Sequence, residues 1–228
     1  MHFTWFHLIP GLEHYPDHVL TAGFCTLAIS ALSLLAYSVA GVPEAALVPA
    51  QKFTLRNMFE VIVEALTGFV DSVLGHGSEK YVPIIGALFI YVFLNNIFGL
   101  FPGINPATDN LNTTLACGLF VFILYNALGV KESGLAYFKH FLGPLIWLAP
   151  LMLPIELISH AVRPMSLGLR LFGNMTGDHT VLTIFLNLVP VGVPMVFYLL
   201  GMFVCFVQAF VFSLLSMVYI QMATAHDH

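Results

Sequence analysis

Residues 154–180 read PIELISHAVRPMSLGLRLFGNMTGDHT and concentrate groups that could hold or pass protons. On a helix of 3.6 residues per turn, Glu156, Ser159, Arg163, Ser166, Arg170 and Asn174 fall within about 40° of one line. Asp178 drifts to about 80° from it, and the remaining faces are Leu, Ile, Met, Phe and Val. A charge at bilayer depth costs about 2.5–3.5 kcal/mol even on insertion scales. Several polar groups in line therefore imply water, a partner or a protein interface, which makes an ion pathway the leading chemistry. Arg170 has Ser166 and Asn174 one turn away on either side and no acid there, so its partner carboxylate belongs to another helix or another chain. Arginine stays protonated at any physiological pH. It can attract a carboxylate without carrying protons itself.

Blander readings stand beside this one. Arg163, next to Pro164, can snorkel to a surface or pair with Glu156 on the same face. Ser159 and Ser166 can bond backbone carbonyls. Gly168, Gly173 and Gly177 suit either close helix packing or a smooth face along which another helix slides. Gln208, the deepest amide of the last apolar stretch, suits a packing hydrogen bond as well as a channel lining.

The elements that must carry these groups are membrane helices. The chain has 228 residues, 59% of them hydrophobic and 8% charged, with mean hydropathy +0.91. Soluble domains carry about 25% charged residues. A span needs about 20 apolar residues. Residues 18–41 form the first span. Residues 51–75 mix Lys52, Arg56, Glu60, Glu64 and Asp71 with apolar side chains at helical spacing, which predicts an interfacial amphipathic helix. Residues 81–130 make a helical hairpin around the polar loop 103–112. Residues 143–223 form a long hairpin broken at 189–194; its first arm is too long to cross upright and must tilt or bend, with Pro154 and Pro164 as possible kinks. The fold class is thus an all-α polytopic membrane protein over residues 1–228 as one membrane domain. It has about five embedded helices plus the interfacial one, the last two long and strongly tilted.

Lys and Arg placement sets the orientation. Lys52, Arg56, Lys80, Lys131 and Lys139 fall on one side, predicting a cytoplasmic C-terminus and an outer N-terminus. The N-terminus lacks a basic region and cleavage site, so the first apolar segment is not read as a removable signal, and no transit peptide is evident. Seven Lys/Arg against a net charge of -5 make no nucleic-acid surface. Cys25, Cys117 and Cys205 lie in apolar stretches without metal-ligand spacing. No phosphate loop or nucleophile elbow is present, so any nucleotide chemistry belongs to other chains.

The run Ser166-Leu-Gly-Leu-Arg170-Leu-Phe-Gly-Asn174 resembles the signature of subunit a of F-type ATP synthases. Pro154-Ile-Glu156-Leu-Ile-Ser159, Gln208-Ala-Phe-Val-Phe and Asn96-Ile-Phe-Gly-Leu-Phe-Pro-Gly103 are similar to that family too. The resemblance covers most of residues 80–223. It implies a non-catalytic stator subunit without cofactor, in a bacterial plasma membrane, beside a ring of c subunits near Arg170. Peripheral-stalk b subunits and, indirectly, the F1 sector are the other implied partners, with lipid around them. Two offset half-channels would reach the ring carboxylates, with Arg170 holding each ionised carboxylate and blocking a direct leak. Asn174 and Gln208 would line the outer half-channel, Asp109 its entrance, and Glu156 and Ser159 the cytoplasmic one. The family usually places an acid and a histidine nine residues after the arginine and seven before the glutamine. Here those positions are His179 and Gly201, so the reading is that Asp178 and His179 together relay protons. The alternatives are a stand-alone channel or carrier, which would conduct by itself, and a membrane scaffold, in which Arg170 would be dispensable.

Overall fold

The computed structural model describes residues 14–40, 55–75, 77–101, 103–134, 149–188 and 192–224. Lys52, Lys139, residues 143–148, the 189–191 part of the break, the first thirteen residues and the tail from 225 lie outside them. The elements among the described residues are all helical: α1 (Asp17–Ala40), α2 (Leu55–Leu74), α3 (Val82–Phe98), α4 (Leu111–Ser133), α5 (Ala149–Leu188) and α6 (Val193–Thr224), with 3-10 turns at Ser78–Tyr81 and Ala107–Asp109.

Segments Asp17–Ser38, Ser78–Phe98, Leu111–Glu132 and Val193–Thr224 are long and apolar enough to cross a membrane. α5 carries the polar stripe and is less apolar. Its 40 residues run unbroken through Pro154 and Pro164. At 1.5 Å per residue that is about 60 Å, roughly twice the hydrocarbon thickness. α5 cannot stand upright in a bilayer.

α6 is the hub, packing on α2, α3, α4 and α5. The core gathers Val92 of α3, Val121 and Tyr125 of α4, Leu167 and Leu171 of α5, and Phe212 and Met217 of α6. α4 and α5 come closest at two glycines. A Cβ on Gly118 would lie 2.4 Å from the Pro164 carbonyl oxygen, and one on Gly168 would lie 2.9 Å from that of Thr114. Gly173 and Gly177 have nothing within 4 Å of the same position. The close-packing glycine of α5 is therefore Gly168, while the other two leave a bare outward face.

The loop between α3 and α4 is fastened from several sides. Asn105 donates to the Asp17 carboxylate at 3.0 Å, and Thr21 donates to the Asn105 carbonyl at 2.8 Å. Buried Thr108 donates to Asn96 of α3 at 2.8 Å. Asn110 caps α4 by accepting from the Asn112 amide. At the opposite end, Lys80 and Tyr81 both donate to Glu132 at the end of α4.

Candidate functional site

The polar stripe lies beside the packing face of α5, about a quarter-turn round the helix from it. Leu167, Leu171, Met175 and Leu182 are buried against α4 and α6, while Ser159, Arg170 and Asn174 are exposed and Glu156, Arg163 and Ser166 are half-buried. Arg163 approaches Glu156 at 4.0 Å, and its guanidinium lies 5.9 Å from the Tyr219 ring centroid. Among the described residues, none of the ion pairs within 4 Å includes Arg170. Its guanidinium faces outward beside the bare surface of Gly173 and Gly177.

One turn beyond Arg170, Asn174 donates its amide to Gln208 Oε1 of α6. Gln208 is buried, and its own Nε2 has no protein hydrogen-bond partner, like Asn96 Nδ2. Buried amide donors of this kind call for water.

Further along, the 103–110 loop meets α5. Thr176 donates to Asp109 Oδ1, and His179 Nδ1 lies 3.7 Å from Asp109 Oδ2. Burial disfavours the Asp109 charge, but the His179 imidazole and the Thr176 hydroxyl outweigh it and hold the carboxyl below its ordinary value of 3.8. A cavity of about 450 Å³ opens here, lined by Asp17, His18, Asn105, Asp109 and His179 among others.

Asp178 turns the other way, into the α5–α6 interface. A Cβ on Gly201 would lie 2.8 Å from Asp178 Oδ2 and 2.9 Å from Leu100 Cδ2. Only a residue without a side chain leaves room for that carboxylate. Asp178 and His179 thus share a small cavity with Asn96 and Cys205, but they face different partners: His179 the loop, Asp178 the last helix.

The structure gathers the site residues in two groups, Asp109, Asn174, Asp178, His179 and Gln208 towards the C-terminal end of α5, and Glu156 and Ser159 towards its N-terminal end. The sequence reading missed Asp17, His18, Asn105 and Thr176, whose membership depends on the fold of the 103–110 loop. The local hint of Asn96 is the run NIFGLFPG that it opens.

Comparison with known proteins bears on the whole chain. A model of the family described as ATP synthase A chain matches residues 22–221. The chain is 52% identical over 229 residues to ATP synthase subunit a of Bdellovibrio bacteriovorus, covering 100% of both. It is 42% identical over 230 residues to ATP synthase subunit a 1 of Syntrophotalea carbinolica, covering 100% of this chain and 94% of that one. It is 41% identical over 213 residues to ATP synthase subunit a of Geobacter sulfurreducens, covering 93% of each.

Proposed function

The chain belongs to the ATP synthase A chain family, the non-catalytic, proton-translocating stator subunit a of bacterial F-type synthases, and we propose that the α5 stripe is where its protons meet the rotor. Arg170 is the fixed charge at the middle of the path. The ring of c subunits presents a carboxylate to it, and the bare Gly173–Gly177 face lets the ring helices pass close by. At about 4 Å and an effective dielectric of about 20, the attraction of two opposite charges is about 4 kcal/mol. That holds an ionised carboxylate in place and disappears when the carboxylate is protonated, so protonation releases the ring.

The outer half-channel begins at the Asp17–Asp109–His179 cavity. It passes the Asp178 carboxylate over Gly201 and reaches the Asn174–Gln208 pair beside Arg170. His179 and Asp178 act in sequence, one at the mouth and one in the interface. The cytoplasmic half-channel runs past Glu156 and Ser159. The N-terminus is periplasmic and the C-terminus cytoplasmic; peripheral-stalk b subunits are further partners, and the F1 sector is an indirect one.

The observation that carries this reading is the outward, acid-free setting of Arg170 on a helix where Glu156 pairs with Arg163, Asn174 with Gln208 and His179 with Asp109. A stand-alone channel would need that charge compensated internally. The test is ATP-driven proton pumping in inverted vesicles with Arg170→Ala. Loss of pumping in an assembled complex is expected; unchanged pumping would remove the arginine from the mechanism.

A further inference from the structure

A groove of about 890 Å³ opens between α1, α3 and α4, away from the α5 stripe. All three helices belong to segments long and apolar enough to cross a membrane. The α1 wall runs from His18 to Ser30, about 18 Å at a rise of about 1.5 Å per residue. That is a little more than one leaflet of a hydrocarbon core about 30 Å thick. Tyr91 of α3 and Phe120 of α4 belong to the other walls. The polar groups of the groove are unevenly placed. Thr26 and Ser30, along its length, donate to the carbonyls of Ala22 and Thr26 on their own helix, each at 2.8 Å. That wall therefore asks for no outside hydrogen bond. His18, Asn112 and Thr113 stand at one end, where α1 and α4 both begin and where Asn105 of the 103–110 loop donates to Asp17.

Water does not suit such a space. Roughly 30 molecules at about 30 Å³ each would stand against apolar walls with their hydrogen bonds unmet. Helices in lipid associate by close backbone approach and interhelical hydrogen bonds. Here Ile29, Tyr91 and Phe120 are bulky, and the α1 hydroxyls are turned back to their own backbone. An acyl chain needs neither close approach nor hydrogen bonds. The polar end also selects a headgroup. His18 lines both this groove and the cavity of Asp17, Asp109 and His179. Its imidazole, the Asn112 amide and the Thr113 hydroxyl offer donors to a phosphate. The Asp17 and Asp109 carboxylates beyond them attract an ammonium and repel a net negative charge.

We propose that this groove binds one acyl chain of a zwitterionic phospholipid from the leaflet on the side of the 103–110 loop. Its phosphate sits at His18, Asn112 and Thr113, and its ammonium points towards Asp17 and Asp109. The chain completes the packing of α1 on the α3–α4 hairpin. It adds to the edge contact of Phe24 with Phe98 at 5.4 Å and to the bond from Thr21 to the Asn105 carbonyl. The site needs only the membrane setting of α1, α3 and α4; it does not depend on the path of protons along α5.

The test uses the intact, detergent-purified complex and a phosphatidylethanolamine carrying a diazirine midway along one acyl chain. After illumination, adducts should map to Ile29, Tyr91 and Phe120 several-fold more often than to Val196, Leu199 and Phe203, an apolar face of α6. Unlabelled phosphatidylethanolamine should displace the groove adducts, and phosphatidylglycerol should do so several-fold less well. Ala87→Leu/Ala116→Leu fills the groove from two exposed wall positions and should abolish those adducts in an assembled complex. If that variant does not assemble, the mapping and the competition decide alone. Adducts spread evenly over both faces would mean general lipid contact, and a groove free of adducts would mean that a helix of another subunit fills it. Either result, or adducts that persist in the filled variant, would overturn the proposal. Equal displacement by the two lipids would overturn the choice of a zwitterionic headgroup.

Discussion

Gly201→Ala tests whether the carboxylate in the α5–α6 interface carries protons. The added methyl would lie 2.8 Å from Asp178 Oδ2 and 2.9 Å from Leu100 Cδ2. Ordinary contacts at such pairs begin at about 3.4 Å, so both neighbours must withdraw by roughly half an ångström. Overpacking of a closed core costs about 1–3 kcal/mol. Here the low end applies, because Asp178 is half-buried and can rotate towards the cavity it shares with His179. The complex should therefore assemble, with Asp178 displaced. A proton-transfer group shifted by that much loses hydrogen-bond reach to its neighbours, and ATP-driven pumping should fall about tenfold, as for a misplaced acid or base. The companion variant Asp178→Ala/Gly201→Ala relieves the Asp178 clash, leaving that with Leu100, without restoring the carboxylate. Its melting temperature should recover in part while its pumping stays low. Wild-type pumping in assembled Gly201→Ala, or recovery of pumping in the double variant, would refute the role given to Asp178.

Three further outcomes follow from the same contacts. Gly118→Ala should part α4 from α5, because its methyl would meet the Pro164 carbonyl at 2.4 Å and backbone cannot rotate away; less chain should copurify with the complex, at a cost of about 1–3 kcal/mol or more, and normal yield would contradict the close crossing. Gln208→Leu removes the acceptor of the Asn174 amide, a bond worth about 1 kcal/mol net; assembly should persist while pumping drops, and intact pumping would leave Gln208 as packing alone. Asp109 is held below its ordinary value of 3.8, so its tie to α5 is fully present above that value and is lost as pH falls through the lowered one. The melting-temperature difference between wild type and Asp109→Asn in the purified complex should be constant at neutral pH and close only in strong acid; a difference that closes near neutrality would assign the tie to His179 instead.

The α5 stripe was legible because it obeys a local rule: polar groups repeating at the helical period across an apolar stretch. The helical fold class followed from composition and segment length. What was not legible depends on contacts between distant segments. Gly168 and Gly173 look alike in the sequence, yet one meets the α4 backbone and the other meets nothing; only the crossing point of two helices separates them. Gly201 stood out as a departure from the family pattern, but that it makes room for Asp178 requires the register of α6 against α5. Asp178 and His179 are adjacent in sequence and line one small cavity, but they are about 100° apart on the helix and face different neighbours, which the sequence does not show. His160 sits off the stripe, and its neighbours Asn126 and Tyr125 come from thirty-four and thirty-five residues earlier.

The pairing pattern along α5 argues for where the mobile charge must sit. Polar groups are expensive in a bilayer unless partnered, and this chain partners them at both ends of the stripe: Glu156 with Arg163, Asn174 with Gln208, Asp109 with Thr176 and His179. A permanent internal carboxylate beside Arg170 would complete the set and make the isolated subunit more stable. It would also compete with each arriving rotor carboxylate for the same guanidinium, cancelling most of the attraction of about 4 kcal/mol that holds an ionised site. Introducing one on the facing turn, as Ser166→Glu or Asn174→Asp, should therefore leave the subunit folded and the complex assembled while pumping falls sharply. Retained coupling with an acid in contact with Arg170 would mean that the arginine need not be available to the rotor, and the gap in the pairing pattern would have to be explained another way.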